Sequence, residues 1–368
     1  MISFSLPKWY DLHTHFRQGD AMSAYIQAHK DMGCVGALAM PNTKPPTAVV
    51  HKEDEHIGDY WSIEGYRESL FQAGADEFDE LITPLYLTKD TTPDMIYKGA
   101  ESGLLQACKA YPPHGTTGAE FGIPISEFIE NGVFKAMEDA GIVLCIHGEE
   151  HGLNPERYFD RTENAEEIFY TERMPRVREA FYNLKIVCEH VTTKKAVDFV
   201  QDAGEGTGAT ITPQHLIYTI GDLIQGLKYH LFCLPVLKHV EDRQALREAV
   251  ISQNNTQFFA GTDSAPHTTK ATECGCAAGC FTGGIAPQLY AQAFELSGLD
   301  LSQSSAQFLF KRFLCELGPE FYGLAQSDEI FTLIKKPEMV KKLNTPDGDV
   351  TPLPLGLGES SLSWTLML

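Results

Sequence analysis

The 368-residue chain has no stretch approaching the roughly 20 apolar residues of a membrane span, although hydrophobic residues make up 43% of it. Its N-terminus has neither the charged start nor the apolar core of a signal peptide. Basic residues are scarce, 29 against 50 acidic ones, for a formal net charge of −21. That deficit argues against nucleic acid or a membrane surface as partner. It leaves room for an anionic small substrate, because a local arginine or metal ion can dominate the field inside a pocket. There is no glycine-rich phosphate loop, no low-complexity tract and no linker that would set off a second domain. The nine cysteines are scattered and odd in number. Without a secretory signal they read as reduced thiols, which points to the cytoplasm. A single domain over residues 1–368 is expected, long enough to bury a sizeable core.

What the chain does have is alternation. Short apolar runs at residues 9–13, 35–40, 81–87, 104–110, 142–147, 185–190, 209–212 and 257–263 end in polar or ionisable residues. They lack strict alternation, as suits parallel strands buried on both faces. Helical segments are expected at 22–32, 55–73, 93–102, 125–139, 194–203 and 241–252, and in the tail near 287–296 and 302–317. Eight strands alternating with helices predict a (β/α)8 TIM barrel; the alternative is an open doubly wound sheet. Residues 112–124 read as a mobile loop carrying Thr116 and Thr117. Residues 148–184 form a long charged connection in which Pro175 marks a helix boundary. Residues 361–368 end the chain as a strand.

The C-terminal strand ends of a barrel converge on one face. Here they carry His13, His15, Asn42, Lys109, His147, His190 and Asp263. His13 and His15 share one face of an extended strand, followed by Arg17. Paired imidazoles suit zinc or a similar metal, and an arginine fork suits a carboxylate. Each histidine alone reads more readily as a core residue bonded to backbone. Together they are a metal-site signal. Lys109 cannot ligate as an ammonium, but a neutral lysine that captures CO2 becomes a carbamate able to bridge two ions. Its plainer reading is a lysine paired with an acidic neighbour.

The order of the motifs is specific. Asp11-Leu12-His13-Thr14-His15-Phe16-Arg17, Met40-Pro41-Asn42-Thr43, Lys109-Ala110-Tyr111-Pro112 and His147-Gly148-Glu149 come first. Glu189-His190-Val191-Thr192-Thr193, Ile211-Thr212-Pro213-Gln214-His215-Leu216 and Gly261-Thr262-Asp263-Ser264-Ala265-Pro266-His267 follow. From about residue 9 to beyond Gly323 the chain resembles the shorter, single-function dihydroorotases of the amidohydrolase superfamily. The resemblance implies two Zn2+ per chain. His13, His15 and Asp263 hold one, His147 and His190 the other, and carbamylated Lys109 (N6-carboxylysine) and a water or hydroxide bridge them. It implies substrate contacts from Arg17, Asn42, His147 and His267, from Thr116 and Thr117 on a closing loop, and from backbone at Leu234 and Ala277. It implies Asp263 as the proton carrier in reversible cyclisation of N-carbamoyl-L-aspartate to L-dihydroorotate, a step of pyrimidine biosynthesis, and a homodimer. Cys274-Gly275-Cys276-Ala277-Ala278-Gly279-Cys280 departs from the family pattern by one extra alanine, which leaves the contact at Ala277 open. Its cysteines are expected to be packed thiols rather than a second zinc site. Two rivals stand beside this reading: another cyclic-amide hydrolase such as a hydantoinase, and an inactive homologue serving as a scaffold.

Overall fold

The apolar stretch near the N-terminus is split by the Pro7-Lys8 pair. Ser3–Pro7 joins Ile330–Ile334 and Thr365–Met367 in a small antiparallel sheet. Trp9–Thr14 becomes the first barrel strand, β1. The computed structural model describes residues 2–273 and 275–368. Cys274, the first of the three close cysteines, lies outside them. The other eight are free thiols, all buried except the half-buried Cys276.

The remaining barrel strands are β2 (Cys34–Ala39), β3 in two pieces (Glu80–Ile82 and Leu85–Tyr86), β4 (Ala107–Ala110), β5 (Val143–His147), β6 (Ile186–Glu189), β7 (Thr207–Ile211) and β8 (Phe258–Ala260). Neighbours in this order pair in parallel. The ring closes just beyond β8. Asp263 N–H donates to His13 O at 2.8 Å and His15 N–H to Ser264 O at 3.0 Å, and Thr14 bridges Ser264 in parallel. The expected (β/α)8 barrel is therefore the fold. Strand residues are almost all buried, because helices cover the outside and side chains fill the inside. Tyr10, Leu12, Val35, Ile82, Val187 and Phe259 belong to that inner cluster. The helix Leu317–Tyr322 packs beneath it, with Leu317 buried among them.

Several boundaries differ from expectation, each for a local reason. The run 81–87 is two pieces because Pro84 has no N–H for the ladder. The run 104–110 is strand only from Ala107, and 257–263 only over Phe258–Ala260. The strand expected at 209–212 begins earlier, at Thr207. The helix expected at 55–73 is confined to Ile63–Gln72. Ser62 caps it by accepting from Gly65 N at 2.9 Å, and a short strand precedes it. The helix expected at 125–139 breaks into Ile125–Glu130 and Val133–Ala140 around Gly132, whose φ is 83°. The connection 148–184 contains four short helical segments, with Pro175 in the first turn of Met174–Ala180. The tail helix expected at 302–317 continues to Tyr322, through a wider turn at Arg312–Glu316. The strand expected at 361–368 is two short pieces, Ser361–Leu362 and Thr365–Met367.

The barrel wall is tight enough at one point to exclude a methyl group. Gly36 in β2 pairs with Tyr10 on one side and Glu80 on the other. A Cβ there would lie 2.5 Å from the Glu80 carbonyl oxygen and 2.6 Å from the Tyr10 ring. Gly36→Ala is expected to cost about 1–3 kcal/mol of stability by overpacking. Urea unfolding measures it, and an unchanged midpoint would show that the wall gives.

Candidate active site

The end of β1 does not run straight. Its register with β2 shifts between Asp11 and Thr14, the irregularity expected where a strand must re-aim side chains. Leu12 belongs to the barrel interior, and His13 and His15 both reach Asp263 on the far side of the closure. His13 Nε2 lies 3.5 Å and His15 Nε2 3.0 Å from Asp263 Oδ1. Asp11 anchors this turn. Its buried carboxylate accepts from Thr262 N at 3.0 Å and from the Thr262 hydroxyl at 2.5 Å.

The protons of these rings can be placed from their other partners. His13 Nδ1 donates to Glu189 Oε2 at 2.6 Å. His15 Nδ1 donates to Asn42 Oδ1 at 2.8 Å, an amide whose orientation is set by Nδ2 donating to Thr117 O at 2.9 Å. Burial lowers the His15 pKa to about 4, against the pull of Asp263, so the ring is neutral at neutral pH. With Nδ1 carrying the proton, Nε2 presents a lone pair. Asp263 itself is ionised: burial would raise its carboxyl, but its contacts with His15 and His13 hold it at about 2. Lone pairs and a carboxylate oxygen therefore face one another, and a cation between them resolves the conflict. Among the described residues, His13, His15 and Asp263 are the group whose donor atoms all lie within 4.8 Å.

The second half of the cluster is assembled from β4, β5 and β6. His147 Nε2 donates to Glu149 Oε2 at 2.9 Å, which leaves Nδ1 free. The His190 ring centre lies 4.7 Å from that of His147 and 4.9 Å from that of His13, and its buried Nδ1 has no partner. Burial drives both rings below their ordinary pKa. Lys109 is fully buried, its Nζ without any hydrogen-bond partner and 5.1 Å from the Tyr111 ring centre. Desolvation lowers its pKa in spite of Glu189 and Asp263. Among the described residues Lys109 Nζ forms no salt bridge of the kind the plainer reading expected. These residues fit a pair of metal ions with a carbamate between them.

The pocket is lined by His13, His15, Arg17, Asn42, Tyr111, Thr116, Thr117, His147, His190, Leu234, Asp263, Ala265, Ala278 and Gly279. Lys109 is buried and is not among them. His267 stands behind Arg17, with Nε2 3.3 Å from Arg17 Nη2 and 2.7 Å from Ala278 O. The shorter contact makes Nε2–H a donor to Ala278; burial, aided by Arg17, lowers this ring's pKa to about 3. Ala277 does not line the pocket. Its N–H donates to Lys270 O, and Lys270 Nζ in turn donates to the carbonyls of Phe232, Ala277 and Gly279. Ala277 is thus taken up in the loop's own hydrogen-bonding, and Ala278 lines the pocket. The sequence reading passed over Glu189, Glu149, Tyr111 and Lys270. The first two were detectable as acidic neighbours one and two positions from a strand-end histidine; nothing local marked the others.

The loop that covers the pocket is folded inward. Gly118, with φ 76°, comes so close that a Cβ would lie 3.2 Å from Asn42 O. What remains open is about 20 Å3, room for roughly one water.

Fold and pocket together define the class. Over 99% of its length the chain superposes on an L-hydantoinase from Arthrobacter aurescens with a TM-score of 0.71, covering 83% of that protein at 15% identity, which shows a shared barrel fold. No family model matches the chain. A dihydroorotase from Stutzerimonas stutzeri (strain A1501) is 39% identical over 361 residues, 97% of this chain and 96% of its own length. The crystal structure of a dihydroorotase in complex with 5-fluoroorotic acid, from Saccharomyces cerevisiae, superposes over 100% of this chain and 99% of that one. Its TM-score is 0.85 and its identity 28%. This chain belongs to the dihydroorotase family, metal-dependent hydrolases of cyclic amides.

Closure of the loop generates the expectation here. Combining Thr116→Val with Thr117→Val removes two hydroxyls and little volume. Turnover is expected to fall at least about tenfold, the scale of one hydrogen bond to a charged group, while the circular dichroism spectrum stays unchanged. Wild-type turnover in that double variant would reduce the segment to a surface connection.

Proposed function

We propose that this chain catalyses the reversible closure of N-carbamoyl-L-aspartate to L-dihydroorotate and water in de novo pyrimidine synthesis. The observation that carries this reading is the placement of Arg17 and Asn42 on the rim of a pocket whose floor is the His13, His15 and Asp263 acceptor cluster. Residues 1–368 are read as one catalytic domain, supported by the small sheet that ties Ser3–Pro7 to the C-terminal strands. The reading takes the protein as a cytoplasmic homodimer, after the family it belongs to.

His13, His15 and Asp263 would hold one zinc ion, and His147 and His190 a second. When bound, such a pair lowers the pKa of water from about 15.7 towards 7 and polarises an amide carbonyl. Lys109 contributes as its carbamate. The neutral amine forms an N–C bond to CO2 and releases a proton, which yields a carboxylate between the two sites. Its unpartnered, desolvated Nζ supports that step.

In the hydrolytic direction Asp263 takes the proton of the attacking water as oxygen adds to the ring amide carbon. It then delivers that proton to the ring nitrogen as the C–N bond breaks. Ring closure runs the same transfers backward. Arg17 and Asn42 hold the ring carboxylate, and His267, neutral and bonded to Ala278 O, fixes the wall beside Arg17. Backbone at Leu234 and Ala278 borders the ring. Thr116 and Thr117 donate to the substrate with the loop down and keep bulk water out.

A hydantoinase-type activity would share the metal ligands but would have no carboxylate for Arg17 to meet. Turnover of L-dihydroorotate, hydantoin and dihydrouracil by one preparation separates the two readings. L-dihydroorotate is expected to be favoured by several orders of magnitude, and preference for hydantoin would overturn the proposal. Arg17→Lys keeps the charge but loses the planar fork. It is expected to lower kcat/KM about a hundredfold with metal content intact. Lys109→Ala is expected to lose both metal and most activity; full metal content with normal turnover would remove the carbamate from the mechanism.

A further inference from the structure

Glu166 takes no part in the reaction derived above and does not line the pocket. It is nonetheless almost fully buried, 1% exposed. Its carboxylate accepts from Thr192 N at 2.7 Å, from Thr193 N at 3.4 Å and from the Thr192 hydroxyl. It stands 3.6 Å from Lys238 Nζ, whose side chain is equally buried and also donates to Val236 O at 2.8 Å. Burial pushes the Glu166 carboxyl up to about 7, opposed first by Lys238 and then by the Thr192 donors. The ionised form therefore depends on these contacts.

The partners are informative. Thr192 and Thr193 make the turn that leaves β6, and Thr193 caps the helix Lys194–Asp202. His190, two residues before Thr192, has φ of 40°, a left-handed conformation that a side chain adopts only where its surroundings hold it. His190 thus backs onto this buried charge group through the turn. His147, His13 and His15 do not; Glu149, Glu189 and Asn42 orient them.

We infer that Glu166 and Lys238 form a positioning pair that holds His190 in ligating geometry and sets the affinity of the second metal site without touching the first. The inference rests on the two-metal reading above. It also gives the Leu234–Lys238 segment a double duty, since Leu234 borders the substrate pocket at one end and Lys238 backs the metal site at the other.

Full-length protein loaded with zinc is challenged with graded chelator and the retained metal counted; a cobalt-loaded sample is followed by its visible absorption. Wild type is expected to release its ions in two steps. In Glu166→Gln the weaker step should move about 10–100-fold, the usual effect of losing an outer partner of a ligand, while the tighter step and its cobalt bands stay in place. Equal weakening of both steps, or no change in either, overturns the inference. Where Glu166→Gln fails to fold, Thr192→Val removes the hydroxyl that donates to Glu166 at nearly constant volume; it should shift the same step in the same direction, and an unshifted step overturns the inference. A wild type that holds only one ion removes the two-metal reading and this inference with it. Two ions in wild type with an unaltered variant removes this inference alone.

Discussion

At the mouth of the barrel three acceptors point at one another. Glu189 and Asn42 engage the Nδ1 atoms of His13 and His15, so that both Nε2 atoms turn towards the Asp263 carboxylate a few ångströms away. In water this would matter little. Buried, each unpaired acceptor costs on the order of 1–3 kcal/mol and a charged one more. A cation removes the cost, and the fold supplies a place for one. Much of the rest of the structure can be understood as keeping that unfavourable arrangement from relaxing.

The restraint comes from backbone as well as side chains. Arg17, His190 and Asp263 all have positive φ, at 59°, 40° and 47°, and all three line the pocket. Such residues cost about 1 kcal/mol or more apiece and persist only when neighbours over-determine them. At Asp263 the neighbours are the closure bonds to β1 and the Asp11 carboxylate gripping Thr262. At His190 they are the Thr210 hydroxyl, which accepts the His190 N–H at 2.7 Å, and the turn bound by Glu166. Thr210 also donates to Glu189 at 2.6 Å. One hydroxyl therefore couples the backbone of His190 to the carboxylate that orients His13. A parallel barrel suits this work because every strand ends at the same rim, so strained residues from distant parts of the chain support one another.

How much of this was readable before the structure depends on whether the signal is local. The His13-x-His15 pair was legible because a strand has a period of two. The strand-end positions of Lys109, His147, His190 and Asp263 were legible because each ends an apolar run. Segment boundaries failed where one residue outvotes a pattern: Pro84 divides β3, Ser62 starts a helix, and Gly132 breaks one. The bulge that lets Leu12 and His13 both face inward is a tertiary effect, since strict alternation would have placed them on opposite faces. Lys238, Glu166 and Lys270 gave no signal. Their importance lies in burial, and a lysine buried against carbonyls or a glutamate resembles a surface lysine in sequence. That Ala278 rather than Ala277 lines the pocket could not be settled by counting cysteines, because it depends on which backbone groups Lys270 engages.

The net charge of −21 poses an apparent difficulty for a protein proposed to take a dicarboxylate, and distance resolves it. Charges on the surface are screened over about 8 Å at physiological ionic strength, while those lining a desolvated pocket act at nearly full strength on what enters it. Glu189 and Glu149 sit just behind the lining but spend their charge on His13 and His147. The one carboxylate among the lining residues is Asp263, and on the proposed reading it faces a cation. That leaves Arg17 as the side-chain charge available to an incoming anion, half-buried at the rim with its Nε unpartnered. An acidic exterior and an anion-binding interior are therefore compatible, and the acidic exterior has a use. It gives nonspecific anions, nucleic acids included, little reason to approach, so that binding depends on a ligand small enough to pass the loop and planar enough at its carboxylate to meet the arginine fork.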